Sequence, residues 1–214
     1  REVVASIGER LLRAAVAVSV DGEVQDLMTP LRRGGAFRVY TERDAEALAV
    51  LRHSGAHVLA TAVRRLRPDA KIGFGPAIDD GFYYDFEVAE PFTPEDLAAF
   101  EAEMRKVAQE KLAFERREVS RAEAQEIFRD DPLKLERLAE LGDDEVISLY
   151  RDGDFVDLCR GPHVQDTSWL KHFKLLTTAG AYWRGDSKRQ MLQRIYATAF
   201  FKKDELEQHV HRLE

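Results

Sequence analysis

The order of apolar and polar positions divides the chain into a short strand-rich opening and a longer stretch where helical and strand periods alternate. An amphipathic run (Val3, Val4, Ile7, Leu11, Leu12) leads into strand-like residues 17–20, and Asp21-Gly22 separates these from a second short apolar run. Asp-Gly between two such runs predicts a hairpin. Residues 36–40 read as another strand. From 41 to 67 the period turns helical, with Leu48, Leu51, Val58, Leu59, Val63 and Leu66 on the apolar face and Pro68 ending it. Residues 71–88 form strand-like pieces around an Asp79-Asp80-Gly81 turn. Thr93 with Pro94 starts a helix that runs to about 111, and Ser120 with Glu123 is a capping box for the next. Between these two helices, 114–119 reads as a strand. Residues 132–141 are a further short helix, carrying Lys134, and 146–150 and 155–158 are strands. Residues 175–198 are rich in aromatic, glycine and polar residues and show no clear period. A helix charged on most faces, expected to leave the domain, occupies 203–214. The first ~40 residues are too few to be stable alone without help, and their opening looks clipped.

Composition narrows the class. With 214 residues, 44% hydrophobic and 33% charged, the chain has room for one large or two modest domains with a well-solvated surface. No apolar run approaches the ~18–20 residues of a membrane helix, and no signal peptide is visible. One cysteine excludes an internal disulfide framework and fits a reducing, cytoplasmic setting. The net charge of -7 argues against a general nucleic-acid coat and leaves local basic faces at Arg64, Arg65 and Arg67 and at Lys188, Arg189 and Arg194.

Two spaced pairs carry the candidate chemistry. His53 and His57 stand four residues apart within the helical run, one turn apart on one face. Cys159 and His163 repeat the spacing around a Gly-Pro turn at the end of a strand. Converging, these four side chains suit either a tetrahedral zinc site or a proton-transfer site. Asp157, two residues before the cysteine, shares its strand face if the strand continues that far. Gly73-Phe-Gly75-Pro lacks the Gly-Lys-Ser/Thr ending of a phosphate-binding loop, and Ser54 has no nucleophile elbow around it.

At this point the motifs become recognisable. Arg52-His-Ser-Gly-Ala-His57, Ile78-Asp-Asp-Gly-Phe-Tyr-Tyr-Asp85, Val156-Asp-Leu-Cys-Arg-Gly-Pro-His163, Thr178-Ala-Gly-Ala-Tyr-Trp-Arg-Gly-Asp186 and Met191-Leu-Gln-Arg-Ile-Tyr196 together closely resemble bacterial-type threonyl-tRNA synthetase. The resemblance covers essentially the whole chain. It implies an α+β architecture. Residues 1–43 would be a TGS-like, ubiquitin-like β-grasp unit missing its first hairpin. Residues 44–200 would be an editing domain whose His-x-x-x-His helix packs on an antiparallel sheet, and 201–214 the start of a linker helix.

The same resemblance implies the function: hydrolysis of the ester of tRNA(Thr) wrongly charged with serine. ATP, the family's catalytic-core zinc and aminoacylation belong to a core that is not in this sequence. His53 and Lys134 are implied as the catalytic pair, with His57, Tyr84, Asp157, Cys159 and His163 around the substrate. Editing is expected to need no metal, although His53, His57, Cys159 and His163 also resemble the zinc pocket of alanyl-tRNA editing proteins. The partner implied is the serine-charged acceptor end of tRNA(Thr), met by a monomer here and by a homodimer in the full-length enzyme. Three other readings stay open: a tRNA-binding appendage without activity, a structural zinc module that would unfold on chelation, and a zinc-dependent alanyl-type editor.

Overall fold

The computed structural model describes residues 1–213 as an α+β arrangement of three antiparallel sheets around one long buried helix. The amphipathic opening splits at Gly8 into α1 (Glu2–Ile7) and α2 (Glu9–Ala14). Strands β1 (Ala15–Val20), β2 (Glu23–Asp26) and β3 (Phe37–Thr41) follow, in the order β2-β1-β3. The β1–β2 turn has positive φ at both Asp21 and Gly22, as the shortest hairpins require. Because β1 is buried at every position, it must be covered on both faces.

Helix α3 (Ala45–Leu66) comes next, and nearly every residue from Val50 to Val63 is buried. A helix buried on most sides runs through the core rather than over it. Strands β4 (Lys71–Ile72), β5 (Ala77–Ile78) and β6 (Gly81–Glu87) lead to α4 (Pro94–Glu110). Helix α4 starts with a complete Thr93–Asp96 capping box and packs on α3. Strand β7 (Glu115–Val119), α5 (Arg121–Ile127, capped by Ser120 and Glu123) and α6 (Pro132–Ala139, capped by Asp131) precede the pair β8 (Ile147–Asp152) and β9 (Phe155–Leu158). Strands β7, β8 and β9 form one antiparallel sheet in that order.

The stretch without a sequence period is a long hairpin, β10 (His172–Tyr182) and β11 (Met191–Phe200), joined to β6 and β4 in the order β10-β11-β6-β4. The strand period is hidden in β10 because most of its outer half is only partly buried and its register slips between Leu175 and Thr177. The final helix, α7 (Lys203–Leu213), does not leave the domain. It lies back against β10 and β11, with His209 buried and its ring 5.3 Å from that of Phe200. Among the described residues, no helix is long and apolar enough to cross a membrane. Several cations of the two basic clusters are ion-paired: Arg65 with Glu103 and Glu110, Arg67 with Asp96, Arg189 with Glu136 and Arg194 with Asp85.

Candidate active site

Helix α3 carries His53 and His57 on adjacent turns, and Gly55 between them lets the helix press onto the sheet. A Cβ on Gly55 would lie 2.9 Å from the Phe82 ring of β6, so any larger residue pushes the histidines away from Tyr84 two residues further along β6. The second pair arrives through the chain reversal after β9. Gly161, at φ +73, has the left-handed conformation that glycine accepts freely, and its N–H donates to Cys159 Sγ at 3.2 Å.

The two pairs meet. Donor atoms of His53, His57, Cys159 and His163 all lie within 4.8 Å of one another. Cys159 Sγ is 3.3 Å from His53 Nε2 and 3.4 Å from His163 Nε2. His163 stands behind the others, stacked on Phe114 at 4.8 Å between centroids. Its Nδ1 is 3.1 Å from Ser54 Oγ, which also donates to the Val50 carbonyl and accepts from Val164 N–H. With the hydroxyl proton on Val50, His163 carries its proton on Nδ1 and turns the Nε2 lone pair toward Cys159. Ser54 is therefore an orienting group.

Beside this cluster lies a buried charge pair. Lys134, from the first turn of α6, reaches Asp157 Oδ1 at 2.5 Å, and both side chains are about 95% buried. Lys134 Nζ also donates to the Gly73 carbonyl at 2.8 Å, while Tyr84 Oη donates to Asp157 Oδ2 at 2.5 Å. Leu133 packs with Trp183 and Leu192, which fixes α6 against the β10–β11 hairpin. Tyr84 itself is only 1% exposed, so it meets the site through its hydroxyl rather than its ring face.

His57 links the pair to a second carboxylate. Its Nε2 is 3.6 Å from Asp157 Oδ2, and its Nδ1 is 3.9 Å from Asp152 Oδ1. Asp152 is fully buried, and its other oxygen accepts from Thr61 Oγ1 at 2.6 Å.

Burial sets most of the protonation states. Desolvation lowers His53 to about 4 and His57 to about 3, with the negative charge of Asp157 opposing in both. His163 falls well below its ordinary value for the same reason, reinforced by the two neighbouring imidazoles. The Cys159 thiol is pushed up to about 12 by burial and by Asp157, and Asp152 up to about 8 by burial. Asp157 goes the other way. Burial opposes its ionisation, but Lys134, His57 and the Tyr84 hydroxyl outweigh it and hold the pKa below the usual carboxylate range. At neutral pH the site thus presents three neutral imidazoles, a thiol and one carboxylate held by a lysine.

All this opens on a cavity of about 980 Å³ whose wall includes His53, His57, Tyr84, Lys134, Asp157 and Cys159. His163 lies outside that wall and supports Cys159 from behind.

The family described as the threonyl and alanyl tRNA synthetase second additional domain matches residues 147–196, which contain Asp157, Cys159 and His163. Over its full length the chain is 52% identical to the threonine–tRNA ligase of Geobacter sp. (strain M21), covering 34% of that protein. It is also 50% identical to that of Bacillus velezensis and 49% identical to threonine–tRNA ligase 1 of Bacillus subtilis, covering 33% of each. The chain is related throughout to the N-terminal part of threonyl-tRNA synthetases. It spans about a third of the length of these curated relatives.

The seven residues singled out in this synthetase-related sequence come together in the fold: His53, His57, Tyr84, Lys134, Asp157, Cys159 and His163. Three histidines and a cysteine are also a chemically suitable zinc donor set, and the Sγ–Nε2 separations of 3.3 and 3.4 Å approximate an edge of a zinc tetrahedron. The residues present fit the ion; bound, it would supply Lewis acidity. Sequence reasoning missed Ser54, Asp152 and the Gly73 carbonyl. Ser54 was visible between the two histidines, but its role depends on Val164 and His163, more than a hundred residues away. Asp152 falls, in the sequence reading, in the polar Arg151-Asp-Gly-Asp154 turn between two strands.

Proposed function

We propose that this chain is an aminoacyl-tRNA deacylase that hydrolyses serine from mischarged tRNA(Thr). The observation that carries the reading is that His53, His57 and Cys159 share one cavity wall with the buried Lys134–Asp157 pair, with His163 behind Cys159, in a chain related to threonyl-tRNA synthetases. Residues 1–43 are assigned as the TGS-like unit, 44–200 as the editing domain and 201–214 as the beginning of the linker. The three-stranded sheet β2-β1-β3 supports the first assignment.

The chemical need follows from substrate size. Serine lacks one methyl group of threonine, and a missing methyl changes binding by only about 1–3 kcal/mol, so a synthetic site sized for threonine admits serine. A second, smaller pocket that hydrolyses the serine ester removes the error. In this site Asp157, kept ionised by Lys134, accepts hydrogen bonds from the serine ammonium. His53, neutral at physiological pH, holds a water by its lone pair against the ester carbonyl. As the water attacks it gives a proton to His53 while the Lys134 side chain stabilises the developing oxyanion, and the proton passes from His53 to the ribose oxygen as its bond to the acyl carbon breaks. His57 and Cys159, the latter backed by His163, keep the pocket narrow, which is where a threonine methyl would clash.

The reaction as assigned needs no metal. The same donor set favours one further reading, a zinc-dependent alanyl-type editor. Release of amino acid from seryl-tRNA(Thr), threonyl-tRNA(Thr) and seryl- and alanyl-tRNA(Ala) by the chain, before and after chelation, separates them. Preferential hydrolysis of seryl-tRNA(Thr), unaffected by chelator and reduced about 10²–10⁴-fold by His53→Ala, is expected. Equal rates on seryl- and threonyl-tRNA(Thr) would overturn the proposal, and no hydrolysis of either would overturn it and leave a tRNA-binding appendage. The cellular setting assigned is the cytoplasm, where tRNA is charged, and the chain is assigned as a monomer; the full-length enzyme is assigned as a homodimer.

A further inference from the structure

We infer that Phe74 is a stacking platform for a nucleobase of the single-stranded RNA 3′ end whose ester the site cleaves. Phe74 lies on the cavity wall with half of its surface exposed. Its loop is unusually constrained for one that presents a large aromatic to solvent. Gly73 N–H donates to the Asp85 carbonyl at 2.8 Å, and Asp85 N–H returns a bond to the Phe74 carbonyl at 3.0 Å. The Gly73 carbonyl is held in turn by Lys134 Nζ at 2.8 Å. Neither flanking glycine has room for a side chain. A Cβ on Gly73 would sit 2.8 Å from the Asp85 carbonyl oxygen, and one on Gly75 would sit 2.1 Å from the Tyr84 ring. The backbone is fixed on both sides of Phe74, so this aromatic side chain leaves a pre-organised backbone one residue away from the contact of Lys134.

Charge on the same wall points to stacking rather than phosphate capture. Among the described residues, every arginine or lysine lining the cavity already has a carboxylate partner. Arg137 pairs with Glu140, Arg160 with Glu145, Arg184 with Glu136, Arg194 with Asp85 and Lys134 with Asp157. A polyanion entering here meets cations that each already stand beside a carboxylate, whereas an exposed ring offers each base a π-face regardless of its identity. The occupant is thus an RNA end held by its bases, with little dependence on their sequence. This inference takes its substrate from the deacylase reading.

Two readouts separate the fates of the two ideas. Binding of a fluorescein-labelled RNA tetranucleotide ending in CCA is measured by anisotropy for the chain and its Phe74→Ala and Phe74→Trp variants. Hydrolysis of seryl-tRNA(Thr) and of serine ethyl ester, which has no base, is followed in parallel. Phe74→Ala should weaken tetranucleotide binding and lower kcat/KM on seryl-tRNA(Thr) by roughly 5- to 150-fold, the span matching ~1–3 kcal/mol per stacked base. Phe74→Trp should stay within a few-fold of the parent, and serine ethyl ester hydrolysis should not change. Should the parent bind the tetranucleotide through Phe74 yet hydrolyse no seryl-tRNA(Thr), the deacylase reading falls and the platform stands. Unchanged or absent tetranucleotide binding, or a parallel loss on serine ethyl ester, would overturn the inference.

Discussion

Replacing Lys134 by Met removes the cation from the most deeply buried ion pair of the site while keeping much of the side-chain volume. In the parent, Asp157 has Lys134 Nζ at 2.5 Å, the Tyr84 hydroxyl at 2.5 Å and His57 Nε2 at 3.6 Å, and the carboxylate is 3% exposed. Without the lysine, a carboxylate that is almost wholly buried at the cavity wall keeps one hydroxyl donor and a neutral imidazole. Breaking a buried pair from one side costs about 3–5 kcal/mol. Removing both charges together, as Lys134→Met with Asp157→Asn, is expected to return stability to within about 1 kcal/mol of the parent. The sign of the pH dependence also changes. In the parent the depressed Asp157 pKa contributes stability that is present above the unfolded value and lost as pH falls through the folded one. In Lys134→Met burial is no longer outweighed, the carboxyl pKa rises, and the deficit relative to the parent shrinks on acidification. Urea unfolding followed by tryptophan fluorescence suits the measurement, because Trp183 packs on Leu133 next to the substituted residue. A single variant less than about 1 kcal/mol below the parent at pH 7.5 would refute the reasoning. So would a double variant as unstable as the single one.

Two other outcomes follow from the same packing. His57 has its pKa lowered to about 3, first by burial, so the folded state resists the proton that the unfolded chain accepts near 6.5. The stability this provides is complete above pH 6.5 and is lost as pH falls, amounting to about 2 kcal/mol between pH 7 and pH 5. His57→Gln should flatten the stability-against-pH curve by that amount, and an unaltered curve would contradict it. Gly55→Ala places a methyl 2.9 Å from the Phe82 ring. Overpacking of this kind costs about 1–3 kcal/mol, and a variant as stable as the parent in urea would show that α3 and β6 are not in the close contact described.

What sequence alone determined were the features that act locally. The Asp21-Gly22 hairpin, the two capping boxes, the helical run containing His53 and His57, and the strand feeding Cys159 into its Gly-Pro turn depend on neighbours within a few residues. The long β10–β11 hairpin was not legible, because neither face of the outer half of β10 is fully buried and a bulge interrupts its alternation. Nor was the return of α7 onto the sheet, since one buried histidine among charged positions does not mark a packing face. In the site, the residue types were readable but their states were not. Nothing in the sequence says that Lys134 holds Asp157, that Ser54 orients His163, or that Asp152 faces His57. Each of these contacts joins segments 23 to 109 residues apart, and their protonation depends on exclusion of water, which only the assembled core decides.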